Sequence, residues 1–248
     1  MRIKEDIKLD FSDVLIEPLA GESTLTRKGV DIEIDWLDTK ATPVCVSNML
    51  STGTYKIANI LSPLRVFTFI HKEYTAEQHF EELAKMENRK YIAITSGVQK
   101  WDLEKTIEVV SKFPDIGLIN VDIANVYANV NGMIKTIETY REKFPHIKIS
   151  AGNIATPELV SKLHKAGANF LKVGVGSGAA CRTRSEVGVG VPQLSAIMNV
   201  GSAARAQGME IISDGGCVTA GDVCKAIAAG AKMVMVAGMV SKSEECDN

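Results

Sequence analysis

Short β-branched runs alternate with helical patterns along the whole chain, at a mean interval of about 27 residues, and this alternation narrows the fold more than any other feature. Eight runs read as strands, at residues 43–49, 65–71, 91–97, 116–123, 147–153, 169–176, 210–216 and 233–239. Most are near-continuous apolar stretches, as expected of parallel strands covered on both faces. The helical patterns between them have readable ends. Thr75-Ala-Glu-Gln78 fits a capping box, with Phe80, Leu83 and Ala84 on the apolar face. Leu103, Ile107 and Val110 repeat at helical spacing. Thr156-Pro157 reads as an N-cap with proline at the first helical position, ahead of the stripe Leu159, Leu163, Ala166 and a stop at Gly167. Thr219 caps a last helix with Val223 and Ile227 on one face, and Gly230 ends it. The pattern predicts an α/β fold, a (β/α)8 TIM barrel, as one domain over residues 1–248. An open doubly wound sheet is the competing arrangement.

With 46% apolar residues in 248, the chain can bury a full-sized core without staples. A net charge of −2 argues against nucleic-acid binding by bulk charge. Nothing approaches the run of about 18 apolar residues that a membrane span needs, and the charged start, Met1-Arg-Ile-Lys-Glu-Asp6, is no secretory signal. Five scattered cysteines point to a reducing cytoplasm with free thiols. His79, His146 and His164 have no metal-ligand spacing and read as surface or loop residues.

One interval breaks the rhythm. The sixth strand begins at Asn169 and the seventh only at Glu210, and the excess starts with a Gly-rich stretch, Gly176 to Gly190, that has no strong period. In a barrel this loop leaves the C-terminal face, where chemistry is placed. Cys181 lies within it, followed by Arg182 and Arg184, whose charge would favour the thiolate. It reads either as a nucleophile or as a tolerated thiol. Cys45 and Cys224 fall in apolar patterns as small core residues, Cys217 follows Gly-Gly and reads as packing rather than as a reactive group, and Cys246 sits near a frayed end with no role assigned. The turns at Ser213-Asp214-Gly215-Gly216 and Ala237-Gly238-Met239 follow the last two strands, where barrels often hold a phosphate on backbone N–H groups. Ordinary tight turns are the alternative. Asp214 could accept hydrogen bonds from a ribose diol. His71-Lys72, Asp122, Asn125 and Asn153 end strands and are candidates for substrate contact. Only Val240–Asn248 follow the eighth strand, too few for an eighth outer helix.

Eight collinear segments resemble the IMP dehydrogenase/GMP reductase family over nearly the whole chain. They are Lys8–Leu15 (KLDFSDVL), Ser47-Asn-Met49, Ile70-His-Lys-Glu-Tyr74, Val121-Asp-Ile-Ala-Asn125, Ala151-Gly-Asn153, Gly176–Arg184 (GSGAACRTR), Gly188–Gln193 (GVGVPQ) and Ile212–Cys217 (ISDGGC). His-Lys-x-Tyr and Asp-x-Ala-Asn favour its GMP reductase branch. The resemblance implies reductive deamination of GMP to IMP and ammonia with NADPH, in purine nucleotide salvage. Cys181 would attack C2 of the guanine and Thr183 would assist proton transfer. Asp214 would bind the ribose hydroxyls, with Gly215, Gly216, Gly238 and Met239 on the phosphate side. Lys72, Asp122 and Asn153 would line the base and nicotinamide region, so Lys72 and Asp122 also meet the cofactor. Carbonyls of Gly176 and Gly178 would hold potassium. The family is typically a homotetramer built through the barrel sides, with GMP or IMP as small-molecule partner and neither nucleic acid nor membrane.

The chain also departs from the family pattern. Leu50 stands where a carboxylate is usual, Ala179 where a hydroxyl is usual two residues before the nucleophile, Ala237 where a glycine is usual, and Val126 where a glycine follows Asp-x-Ala-Asn. The family's flap, which carries a glutamate, follows the eighth strand, so flap and last helix are expected to be missing from these 248 residues. IMP dehydrogenation to XMP with NAD, or a catalytically impaired nucleotide-binding paralogue, are the alternative readings.

Overall fold

Eight parallel strands close into a barrel in the order in which the chain makes them. The computed structural model describes residues 6–20, 26–178 and 182–246. In chain order the elements begin with a short hairpin, β1 (Ile34–Trp36) and β2 (Thr39–Ala41). The first half of the barrel then runs β3 (Val44–Val46), α1 (Tyr55–Leu61), β4 (Phe67–Ile70), α2 (Ala76–Lys85), β5 (Ile92–Ser96), α3 (Lys100–Lys112), β6 (Leu118–Asp122) and α4 (Val130–Lys143). The second half follows with β7 (Lys148–Ile154), α5 (Val160–Ala166), β8 (Phe170–Val173), α6 (Arg182–Val187), α7 (Gln193–Arg205), β9 (Glu210–Asp214), α8 (Ala220–Ala228) and β10 (Met233–Val236). β10 pairs with β3 and closes the ring, so the open-sheet alternative is excluded. Among the described residues, no helix is long and apolar enough to cross a membrane.

All eight expected runs form barrel strands, seven of them shorter than the run, while β7 keeps its length and is shifted by one residue to end at Ile154. Alternation along them sorts two cores. Ile70, Ile92 and Ile94 face outward under α1 and α2, and Val121, Ile149, Leu171 and Ile211 face outward under the later helices. Cys45, Phe67, Phe69, Leu118, Phe170, Ile212 and Met235 face inward and fill the barrel. The capping boxes expected at Thr75 and Thr219 both form. Thr75 Oγ1 accepts from the Gln78 amide and Gln78 Oε1 from the Thr75 amide, and Thr219 pairs likewise with Asp222. Gly167, at φ +110°, ends α5 in the left-handed region.

Three expectations need correction. Thr156 does not cap α5: Pro157–Leu159 form a 3-10 turn before the helix proper, and the Thr156 hydroxyl is engaged by Tyr127 and Glu158. His79 is no surface residue. It is fully buried on the inner face of α2, its Nδ1 2.5 Å from the Tyr55 hydroxyl, and burial pushes its pKa down to about 3. Cys246 is buried against Val46 and Ile57 rather than loose, its thiol on the Val240 carbonyl.

The hairpin is the element the alternation could not show. Its turn passes through Leu37 at φ +53°, with no glycine or asparagine to announce it. It delivers Trp36, 1% exposed, into the barrel's N-terminal end. There the indole stacks on Phe170 at 4.2 Å and meets Phe67 edge-on at 6.4 Å. Phe67, Leu118, Phe170 and Met233 are the first residues of their strands, so this cluster is the barrel floor. Trp36→Ala should lower unfolding free energy by about 3–5 kcal/mol, read as a lower urea midpoint at unchanged slope; a loss below about 1 kcal/mol would show that the floor is not packed as described.

Candidate functional site

Inward-facing side chains change character from the floor to the C-terminal mouth. Aromatic and aliphatic groups give way to a buried polar layer, in which Asn120 donates to Thr95 Oγ1 at 3.2 Å and accepts from Ser150 Oγ at 2.9 Å. Above it the layer becomes charged. Lys172 of β8, with a side chain 1% exposed, extends its ammonium 2.6 Å from Asp122 Oδ1 of β6 and 3.2 Å from Asp214 Oδ2 of β9. It also donates to Asn48 Oδ1 at 3.3 Å, while Asn48 Nδ2 donates to Asp122 Oδ2 at 2.8 Å. Asn153 Nδ2 donates to Asp214 Oδ2 and to the Gly174 carbonyl, both at 2.8 Å. One cation, two carboxylates and two amides thus form a single cluster, four of them from the consecutive strands β6 to β9 and Asn48 from across the barrel, after β3.

The local sequence is arranged around that lysine. A Cβ on Gly152 would stand 2.4 Å from Lys172 Cβ, so only glycine leaves the lysine its place. The β7–β8 register breaks between Ala151 and Ile154, and Asn153 at this irregularity turns onto Asp214. Gly174, at φ +155°, lets β8 pass so close to β9 that a Cβ would fall 1.8 Å from the Asp214 carbonyl oxygen. Burial alone would push the Asp122 carboxyl up. The Lys172 charge, its hydrogen bond and that from Asn48 outweigh this, and the net shift is down. Burial penalises the Lys172 ammonium too, yet Asp122 and Asp214 raise its pKa overall.

The Gly-rich loop is anchored at this mouth. It leaves over Gly176 (φ +80°), where a Cβ would lie 2.8 Å from the Val189 carbonyl oxygen and 2.9 Å from Gly190 Cα. Val191 N returns to the Val175 carbonyl at 3.1 Å, so both ends of the excursion are pinched together. Ser177 Oγ donates to the Asp214 carbonyl at 3.3 Å, and a Cβ on Gly215 would touch Gly178 N at 3.0 Å. Gln193, fully buried at the start of α7, ties the ends of β8 and β9 together by donating to the Val173 carbonyl at 2.7 Å and to Ser213 Oγ at 3.2 Å.

A family model described as IMP dehydrogenase / GMP reductase domain matches residues 8–248. The chain belongs to that family. It is 39% identical over 254 residues to a GMP reductase of Klebsiella pneumoniae and 41% identical over 253 residues to GMP reductase 1 of Rattus norvegicus. Each alignment covers 99% of this chain and 72% of the relative. An inosine 5′-monophosphate dehydrogenase crystal structure from Legionella pneumophila superposes with a TM-score of 0.86 at 28% identity, covering 98% of this chain and 72% of that one.

Of the family-implied residues, Asp122, Asn153 and Asp214 meet directly around Lys172. Lys72 follows β4, its charge acting on Asp122. Gly176 and Gly178 lie at the loop base, and Gly215 packs on Gly178. A Cβ on Gly216 would meet Gln193 and Phe11 at 3.3 Å, whereas one on Gly238 would meet nothing, and Met239 beside it is 44% exposed. Cys181 and Ala179 lie outside the described residues; Thr183 is in α6. Leu50, in place of the usual carboxylate, is exposed on the loop after β3. Cys224 is exposed on α8 rather than in the core, because the apolar face of that helix turns through Val223 and Ala226 instead. Cys217 packs as expected, and burial pushes its thiol up to about 12. Lys172 is the functional residue that sequence reasoning missed. A lone lysine inside the apolar run Phe170-Leu-Lys-Val173 was its only signal.

Removing the lysine leaves two desolvated carboxylates unpaired, so Lys172→Met should cost about 3–5 kcal/mol at neutral pH. The Asp122 carboxyl is held below its ordinary value. Its contribution is therefore present above about pH 4 and lost as pH falls through the folded-state value; the raised Lys172 value loses its share only above about pH 10. In the variant Asp122 takes up a proton more easily, so the deficit against the unsubstituted protein should shrink between pH 7 and about pH 4.5. Urea midpoints at both pH values measure it, and an undiminished deficit contradicts the scheme.

Proposed function

We propose that this chain converts GMP to IMP and ammonia with NADPH, through a covalent bond between Cys181 and the purine. The observation that carries the reading is the Lys172 cluster, which presents Asp122 and Asp214 at the mouth beside both ends of the loop that bears Cys181. The relatives at 39–41% identity are named GMP reductases, while the dehydrogenase match is at 28%.

The chemistry suits these residues. A thiolate adds to C2 of guanine, an electron-poor amidine carbon, and expels ammonia once Thr183 has helped a proton onto the departing nitrogen. NADPH supplies the hydride that reduces this carbon. The carbon–sulfur bond then breaks, IMP leaves and the thiolate is restored. Asp214 accepts from the ribose hydroxyls, its carboxylate fixed in direction by Lys172 and Asn153. Gly215, Gly216, Gly238 and Met239 bring backbone N–H groups toward the phosphate. Lys72 and Asp122 face the purine and nicotinamide, and the buried Asn153 Oδ1, which has no partner among the described residues, leaves one acceptor for that pair. The carbonyls of Gly176 and Gly178 are the donor type that takes a large monovalent cation such as potassium. The reading extends to one barrel domain over residues 1–248, a homotetramer in the cytoplasm, and no role for nucleic acid or membrane.

The test offers GMP with NADPH and, separately, IMP with NAD, following reduced-nicotinamide absorbance and ammonia. Oxidation of NADPH with stoichiometric ammonia is expected from the first pair only. Reduction of NAD with IMP instead would assign the dehydrogenase reaction, and silence with both an impaired paralogue. Cys181→Ser should lower turnover by more than about 10³-fold with the urea midpoint unchanged; undiminished turnover would overturn the covalent step.

A further inference from the structure

The loop after β4 carries Lys72, and its backbone is gripped by a residue two elements away. Lys105, on the second turn of α3, donates from its ammonium to the carbonyl oxygen of Lys72 and, at 2.9 Å, to that of Tyr74. Two carbonyls two residues apart thus converge on one half-buried cation, which also feels the carboxylates of Asp102 and Glu73 and the like charge of Lys72. The same loop is held from behind. His71 N donates to the Gly53 carbonyl at 2.8 Å, His71 Nδ1 accepts from the Glu73 amide at 3.2 Å, and the imidazole stacks on Tyr74 at 4.2 Å and 10°. Tyr74 in turn rests on Tyr55, whose hydroxyl meets His79. On its outer side the loop borders a cleft of roughly 390 Å³ lined by Lys72, Tyr74, Trp101 and Lys105.

We propose that Lys105 is a positioning residue for Lys72. By clamping the Lys72 and Tyr74 carbonyls it fixes the backbone from which the Lys72 side chain projects, and so fixes where that ammonium stands relative to Asp122. The inference rests on the proposed role of Lys72 toward purine and nicotinamide. A displacement of about 1 Å in such a group can cost on the order of 10² in rate, and the two carbonyls hold the ammonium from the loop side while Asp102 and Glu73 help to keep it charged in partial burial.

The experiment compares Lys105→Met, Lys105→Arg, Lys72→Met and the Lys72→Met/Lys105→Met double variant. Turnover with GMP and NADPH is read alongside hydrogen exchange of the 71–76 backbone in the nucleotide-free protein. Lys105→Met is expected to lower kcat about 10- to 100-fold, with the KM for GMP changed less than about threefold and exchange at 71–76 about tenfold faster or more. Lys105→Arg, whose guanidinium can reach both carbonyls, should restore exchange protection and most of kcat. In the Lys72→Met background, the second substitution should add nothing, the sign of action through Lys72. Should Lys105→Met fail to fold, Lys105→Gln, which keeps one donor, takes its place. Full kcat in Lys105→Met, unchanged exchange, or multiplying losses in the double variant each overturn the clamp. If Lys72→Met alone turns over normally, the role of Lys72 falls and the clamp with it; if Lys72→Met is crippled while Lys105→Met is not, the clamp alone falls.

Discussion

An ammonium almost without solvent persists only where negative charge surrounds it, and Lys172 meets that condition with Asp122 on one side and Asp214 on the other. Without the lysine, burial would push the Asp122 carboxyl up, and Asp214 would lose the cation that fixes its direction. The amides of Asn48 and Asn153 complete the arrangement by donating to the outer carboxylate oxygens. Five segments of the ring are therefore tied at one level by charge rather than by packing. The turn at Gly215 and the base of the Gly-rich loop are joined to this level through Asp214 and its carbonyl.

Below it, the barrel supplies rigidity by ordinary means. Aromatic packing around Trp36, a hydrogen-bonded layer through Asn120, and outward isoleucines and valines under the helices leave the charged layer few ways to move. The close approaches at Gly152 and Gly174 serve the same end. Each lets a neighbouring strand come nearer than any side chain would allow, and each adjoins a member of the charged cluster.

How much of this was legible follows from what each feature leaves in the chain. Doubly covered strands must be apolar on both faces, so all eight were visible as runs, although their ends were not: pairing stops inside most of the runs, and at β7 it continues to Ile154. The capping boxes at Thr75 and Thr219 were visible because a cap is a local arrangement. The hairpin was hidden because its strands have three residues each and its turn uses Leu37. His79 was misplaced because a polar residue on a helix says nothing of the tyrosine awaiting it 24 positions earlier. Asp122, Asn153 and Asp214 stood out as polar groups at strand ends, yet the residue that unites them did not. Lys172 lies one step inside its strand, and its partners are 50 and 42 positions away along the chain.

The aromatic floor has a consequence for traffic. With Trp36 stacked across the strand starts and apolar side chains filling the interior above it, the barrel has no passage along its axis. The charged layer is therefore approached from its C-terminal side, and a substitution that opened the floor would admit water to it from below.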